Sequence, residues 1–226
     1  LLALHLLQVI WDGAYRAPRE VNFWLGLVLM QIVLGLSLTG YLLPWDQKGY
    51  WATSVATNLA TLVPFVGKHI QTLVVGGPQY GHHTLTRFFA LHAGILPVLL
   101  VGVLTIHLAL FRKHGVNAVL SRRRADAYFW PDQVLKDAVA CLAVLVIVFL
   151  LAIHFDVGGV LNGGLNSETA AHNYGAELGA PADPSEQYSA ARPEWYFLFL
   201  FQLLKYFPGH LEIVGAIIMP GLAMFI

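Results

Sequence analysis

The sequence predicts an all-α protein, a polytopic bundle of helices that crosses a membrane several times. Its 226 residues are 57% hydrophobic and only 12% charged, and the mean hydropathy of +0.63 is too high for a soluble domain. Apolar runs recur at 21–43, about 85–111 and 133–154, and about 20 residues suffice to cross a hydrocarbon layer of ~30 Å. Long loops of contrasting charge separate the later runs.

The N-terminal half predicts two and a half membrane spans. Residues 1–10 read as the end of a spanning helix, and a polar turn with Pro18 at a plausible helix start leads to the span at 21–43. Residues 44–84 contain prolines and aromatic residues but no full-length span, so we expect one or two amphipathic helices at the interface. A further span runs from about Leu85 to Phe111.

The C-terminal half contains two loops that set the orientation. The connection at 112–136 holds six Lys and Arg residues, whereas 155–192 holds one. Positive residues stay on the inner side, so 112–136 is predicted inside and 155–192 outside. A last apolar region begins at Glu194 and is predicted to break at Pro208 and Gly209. Both ends of the sequence interrupt apolar runs, so we expect it to be part of a longer protein.

Two histidines share the span near the middle of the chain. His92 and His107 lie fifteen positions apart, which places them about 60° apart around a regular helix and ~22 Å apart along it. Ionisable residues inside a span are costly, and imidazole is a ligand of haem iron. The pattern predicts two stacked haems, although interhelical hydrogen bonds would also account for the histidines. His5 has the same predicted depth as His107, while the partner of His92 is expected outside this sequence.

Glycines and arginines occur at matching depths. Gly26 and Gly40 are fourteen residues apart on the neighbouring span, and glycine lets a flat macrocycle pack against a helix. Ordinary packing of small residues between membrane helices is the alternative. Arg87 near the outer surface and Arg19 near the inner surface could contact haem propionates, or could simply extend to the interface.

Three ionisable residues are candidates for proton chemistry. Glu194 lies where the outer loop enters apolar sequence, so a carboxyl there could take a proton from a bound hydroxyl and pass it to water. A helix N-terminal acid would have the same position. Lys136 and Asp137 enter a span from the inside and could protonate a reduced carbonyl, or could be interfacial anchors.

The composition also excludes several function classes. Thirteen basic and thirteen acidic residues cancel, so no nucleic-acid partner is indicated. The single cysteine, Cys141, rules out a disulfide within the chain, and no Cys-x-x-Cys-His motif is present. Any haem would therefore be held without covalent attachment, and an iron–sulfur centre would have to come from another subunit.

Several stretches together resemble one known family. These are GYLLPWDQKGYWA at 40–52, TLTRFFALH at 84–92, the His92 and His107 pair, and PEWY at 193–196. In this order they resemble cytochrome b of the quinol-oxidising cytochrome bc family, over essentially the whole sequence. The fifteen-residue histidine interval is similar to the plastid-type branch, whereas the unbroken continuation through PEWY is similar to undivided bacterial subunits.

The resemblance implies a set of site residues. His5 and His107 would ligate an inner, high-potential haem b, and His92 would ligate an outer, low-potential haem b. The outer quinol-oxidation pocket would include Glu194 and Tyr196. By the same resemblance Lys136 and Asp137 would belong to an inner quinone-reduction pocket.

The resemblance also implies an activity and partners. Quinol would be oxidised outside, one electron passing to a Rieske iron–sulfur protein and the other through both haems to quinone inside, coupled to proton translocation. Further implied are a c-type cytochrome subunit, a homodimer and a place in the bacterial inner membrane. Residues 1–111 would form the haem-binding bundle and 112–226 the C-terminal part with the quinol-pocket loop.

Two other functions fit parts of the pattern. A di-haem b-type membrane anchor of a dehydrogenase or hydrogenase would need inner and outer histidines but not PEWY. A haem-free transporter or assembly scaffold could use the histidines as a proton relay. A reduced-minus-oxidised spectrum separates the scaffold from the other two, because the scaffold has no b-type absorbance.

Overall fold

The computed structural model describes residues 1–115, 128–152, 180–186 and 197–225, and these are predominantly helical, with no strand among them. The all-α prediction is confirmed. The helices, numbered in chain order, are α1 (Leu2–Trp11), α2 (Glu20–Tyr41), α3 (Gln47–Asn58), α4 (Gly67–Val75), α5 (His82–His114), α6 (Val134–Ala152), α7 (Leu198–Tyr206) and α8 (Met219–Phe225).

The chain divides into two compact units. The larger comprises Leu1–Val119 and Gly179–Ile226, and contains all of the helices named above except α6. The smaller, Leu120–Leu178, contains α6 and the π-helical turn Phe129–Gln133 that precedes it. All packing described below lies within the larger unit.

Three helices in the described ranges are long and apolar enough to cross a membrane: Glu20–Tyr41, His82–His114 and Phe129–Leu150. They coincide with the spans predicted at 21–43, 85–111 and 133–154. Most of their apolar side chains are exposed, which suits helices whose surroundings are lipid or neighbouring proteins rather than water. The last apolar region is interrupted as predicted, because α7 ends at Tyr206 before Pro208 and Gly209.

Helix α5 departs from the regular helix that the sequence pattern suggested. One π-helical turn occupies Leu91–Ile95, where the N–H of Leu96 bonds the carbonyl of Leu91. Pro97 follows directly and has no N–H to offer the carbonyl of Ala93, which favours a local change of hydrogen-bond pattern. A π turn accommodates one extra residue. The fifteen residues from His92 to His107 therefore give about the same rise and rotation as fourteen residues of a regular α-helix.

The densest core lies where α3 and α4 meet the C-terminal end of α2 and the N-terminal end of α5. The amphipathic region predicted at 44–84 contains α3 and α4. Its buried side chains come from all four helices and their connections, and include Leu42, Tyr50, Ala52, Thr53, Thr57, Val75, Thr84 and Phe88. Burial and the nearby Tyr80 raise the pKa of Tyr50, so this phenol stays neutral within the core.

The start of α3 is held by two sets of contacts. Asp46 caps the helix by accepting a hydrogen bond from the N–H of Gly49 at 2.7 Å. Residues 180–186 lie alongside: the N–H of Gln47 donates to the carbonyl of Ala180 at 2.8 Å, and its amide donates to Glu186 Oε2 at 3.0 Å. A segment more than 130 positions away in sequence therefore holds the start of α3 in place.

The close approach of α3 to α2 depends on Gly49. A Cβ at this position would overlap the carbonyl oxygen of Tyr41 and lie 3.0 Å from Asp46 Oδ1. Backbone atoms cannot move aside as a flexible side chain can. We therefore expect Gly49→Ala to destabilise the protein by about 1–3 kcal/mol.

Gly102→Ala is the matched control, because a Cβ there meets nothing within 4 Å. It should be neutral or stabilising by up to about 1 kcal/mol, since alanine is the better helix former. Thermal unfolding of the detergent-purified protein, followed by circular dichroism, measures both. Equal midpoints for the two variants would contradict the role given to Gly49.

Candidate functional site

The two histidines of α5 make equivalent hydrogen bonds to α2. His107 Nδ1 lies 3.1 Å from the carbonyl oxygen of Asn22, and His92 Nδ1 lies 2.9 Å from the carbonyl oxygen of Leu36. A carbonyl can only accept, so each Nδ1 carries the proton and each Nε2 keeps its lone pair. Both imidazoles are thus in the tautomer in which Nε2 can bind a metal.

A glycine lies beside each of these imidazoles. A Cβ on Gly26 would lie 3.4 Å from His107 Cε1, and a Cβ on Gly40 would lie 2.5 Å from His92 Cε1. The sequence analysis predicted that these glycines leave space for a flat macrocycle. In the structure each glycine faces an imidazole ring. The acceptor carbonyls and the glycines both repeat at fourteen residues on α2, so one local arrangement is built twice.

The copy of this arrangement at His107 opens into a cavity of about 370 Å³. His5 on α1 and His107 on α5 both line it, together with Gly26. The other lining residues are apolar: Leu2, Leu6, Val9, Phe23, Leu29, Met30, Leu104, Leu108 and Phe111. The size lies within the usual range of ligand cavities, about 300–1,000 Å³.

The residues present fit a haem better than a bare metal ion. Across the part of the chain that the structure describes, no group of three or more His, Cys, Asp or Glu side chains could hold an ion. A porphyrin brings its own four equatorial nitrogens, so it needs only axial imidazoles and an apolar enclosure. The cavity lined by His5 and His107 supplies both.

The two predicted arginines make backbone contacts at opposite ends of α5. Arg19 donates through Nε to the carbonyl of Gly115 at 3.3 Å and through a terminal nitrogen to that of His114 at 3.5 Å. A cation there offsets the negative end of the helix dipole. Arg87 donates to the carbonyl of Leu73 and packs against Gly76, where α4 ends.

None of the four candidate proton-transfer residues belongs to the described part of the larger unit. Lys136 and Asp137 lie at the start of α6 in the smaller unit, both exposed, and Asp137 accepts a hydrogen bond from the amide of Gln133 at 2.8 Å. Glu194 and Tyr196 lie outside the described residues. Their roles stay predictions.

Sequence reasoning missed the second layer of contacts around the histidines. The carbonyls of Asn22 and Leu36 precede Gly26 and Gly40 by four positions each, so the fourteen-residue glycine repeat contained the necessary signal. The hydroxyl of Thr39, 3.3 Å from His92 Nδ1, was also overlooked. It adjoins Gly40 and is buried.

These features define a multi-pass helical membrane protein in which a spanning helix presents two oriented imidazoles. Residues 1–162 match the family model described as Cytochrome b(N-terminal)/b6/petB. The chain belongs to this cytochrome b family, whose prosthetic group is haem b. The resemblance inferred from the sequence motifs is thereby confirmed.

Three relatives illustrate the similarity. The menaquinol:cytochrome c reductase cytochrome b subunit of Geobacillus thermodenitrificans is 42% identical over 121 residues, covering 53% of this chain and 54% of that protein. Cytochrome b of Cereibacter sphaeroides is 33% identical over 226 aligned positions, covering 93% of this chain and 46% of that protein. A solved structure titled "Hyperthermophilic respiratory Complex III" matches with a TM-score of 0.76 and 26% identity, covering 98% of this chain and 56% of that one. The chain spans about half the length of these relatives.

The contact between Gly40 and His92 yields a direct test. An added Cβ 2.5 Å from the ring would push the imidazole away from the Leu36 carbonyl, because ordinary carbon contacts are about 3.5–4.0 Å. We expect Gly40→Ala to lower the ratio of haem b to polypeptide in the purified protein, as measured by a pyridine haemochrome assay.

Gly94→Ala is the control, since Gly94 lies two residues from His92 and its Cβ would meet nothing within 4 Å. It should leave the haem ratio unchanged. A normal haem ratio in Gly40→Ala would show that the close contact with His92 is unimportant for haem binding.

Proposed function

We propose that the chain is the di-haem cytochrome b of a quinol:cytochrome c, or quinol:plastocyanin-like acceptor, oxidoreductase. It would oxidise quinol at an outer pocket, conduct electrons across the membrane through two haem b groups, and reduce quinone at an inner pocket while protons are translocated. The observation that carries this proposal is the repeated imidazole arrangement on α2 and α5. One copy of this arrangement would make a single haem site. Two copies, fourteen residues apart on α2, would make two haem sites at different depths in the membrane.

The chain's own residues would perform distinct tasks at the two haem levels. His5 and His107 face a common apolar cavity and would hold the inner haem between α1 and α5. His92 would hold the outer haem, with its second ligand from sequence beyond this chain. When bound, the haems supply one-electron redox chemistry at two depths. The Asn22 and Leu36 carbonyls would keep both imidazoles in the metal-binding tautomer.

Proton transfer would involve residues near the two membrane surfaces. Glu194, with Tyr196 beside it, would take a proton from bound quinol and release it to the outer side. Lys136 and Asp137 would deliver protons to quinone at the inner side. The support for these assignments is the PEWY motif and the position of Lys136 and Asp137 at the start of a span.

The proposal includes the surroundings of the chain. A Rieske iron–sulfur protein and a c-type cytochrome subunit would accept the high-potential electron, and the complex would be a homodimer in the bacterial inner membrane. Residues 1–111 would carry the haem-binding bundle, and 112–226 would form the C-terminal transmembrane part with the quinol-pocket loop. The named relatives include a menaquinol:cytochrome c reductase subunit, which supports a quinol as the reductant.

A redox titration of the haems in the intact complex tests the di-haem proposal. We expect two b-type transitions with separated midpoints, because the two imidazoles lie at different depths and have different hydrogen-bond partners. A single b-type transition, or no b-type absorbance, would overturn the proposal.

Replacing Glu194 tests the catalytic assignment. Glu194→Gln removes the proposed base while keeping its size, so quinol oxidation should slow by about 10²-fold, the lower end of general-base contributions, with both haem transitions retained. Glu212→Gln is the matched control, because Glu212 is exposed beyond the Pro208 break, and it should leave turnover unchanged. Normal turnover in Glu194→Gln would favour the di-haem anchor of a dehydrogenase or hydrogenase.

A further inference from the structure

The two histidine sites differ in one buried hydroxyl. Thr39 is only 6% exposed, and its Oγ1 lies 3.3 Å from His92 Nδ1. Counting fourteen positions back along α2, the equivalent residue near His107 is Leu25, which has no polar side-chain atom. The outer imidazole therefore has a second polar neighbour of a kind that the inner repeat lacks.

Hydrogen-bond accounting assigns the direction of this contact. The Thr39 hydroxyl has one proton, and it donates to the carbonyl of Gly35 at 2.8 Å, with the carbonyl of Leu36 at 3.3 Å. The Nδ1 proton of His92 is fixed by the Leu36 carbonyl at 2.9 Å. Because the Thr39 proton points to the backbone, an Oγ1 lone pair remains for His92 Nδ1–H. His92 thus donates to two acceptors at once.

Two acceptors on one N–H draw electron density toward Nε2. Outer hydrogen-bond partners of a ligating histidine raise its basicity, and hydrogen bonding around axial ligands is one of the means by which a protein sets haem potential. A more basic imidazole favours the oxidised iron and so lowers the midpoint. His107 has the Asn22 carbonyl in the position of Leu36 but only Leu25 in the position of Thr39.

We propose that Thr39 is a positioning residue that lowers the midpoint potential of the haem bound by His92 relative to the haem bound by His107. This inference rests on the proposed di-haem function. The hydroxyl acts through the imidazole and does not itself contact the iron. Thr39 directly precedes Gly40, whereas its counterpart fourteen positions earlier, Leu25, directly precedes Gly26.

The test is Thr39→Val, which removes the hydroxyl while keeping the branched shape. The Gly35 carbonyl keeps its helical N–H partner, so α2 should remain intact. In a redox titration of the purified complex, the lower b-type midpoint should rise. The equilibrium constant for reduction of that haem should increase threefold to tenfold, the range expected for the loss of one neutral hydrogen bond. A tenfold change is about 59 mV for a one-electron couple. The upper midpoint should not move.

Two further variants make the result specific. Thr39→Ser keeps a hydroxyl at the same position and should restore the wild-type lower midpoint. Ser37→Ala removes a hydroxyl that donates to the Val33 carbonyl at 3.1 Å and that, among the described residues, has no hydrogen bond to either histidine; it should leave both midpoints unchanged.

The outcomes separate the two proposals. Two transitions in the wild type with no selective shift in Thr39→Val would overturn the role of Thr39 while leaving the di-haem function standing. An equal shift of both midpoints, or a shift of the same size in Ser37→Ala, would also overturn it. Failure to find two transitions in the wild type would instead overturn the proposed function.

Discussion

The close approach of α2 and α5 is the constraint on which the histidine arrangement depends. The His92 ring reaches the Leu36 carbonyl only because Gly40, four residues further along, leaves space for it, and Gly26 lies beside the His107 ring in the equivalent place. A larger residue at Gly40 would separate the helices or turn the ring. The same contact fixes the helix spacing, the ring orientation and the tautomer, so none of these can change alone.

Much of the fold followed from the sequence because long apolar runs leave few alternatives in a membrane. The spans, the interfacial helices and the interruption before Pro208 were all predicted from length and composition. Placing Gly26 and Gly40 at the depths of His107 and His92 required only the helical rise. These features depend on one-dimensional periodicity, which a sequence displays directly.

The remaining features depend on contacts between distant segments. The acceptors of His92 and His107 are backbone carbonyls, which every residue has, so only their distance of four positions from Gly26 and Gly40 marks them in the sequence. For Arg19 the sequence left open a propionate contact or extension to the interface, and in the structure it caps the C-terminal end of α5. Whether a basic side chain meets a carboxylate or a helix terminus depends on helix ends that the hydropathy pattern locates only approximately.

The wide turn at Leu91–Ile95 bears on how relatives of this chain are compared. His92 and His107 are fifteen residues apart, but the carbonyls that they contact on α2 are fourteen apart. The π-helical turn accommodates the one extra residue, so both imidazoles still reach their acceptors. A homologue with one residue fewer could present its imidazoles to the same carbonyls through an unbroken α-helix. The number of residues between the two histidines is therefore weak evidence for which branch of the family a chain belongs to. In a sequence alignment the gap should be placed inside this turn, where a residue can be lost without moving either imidazole.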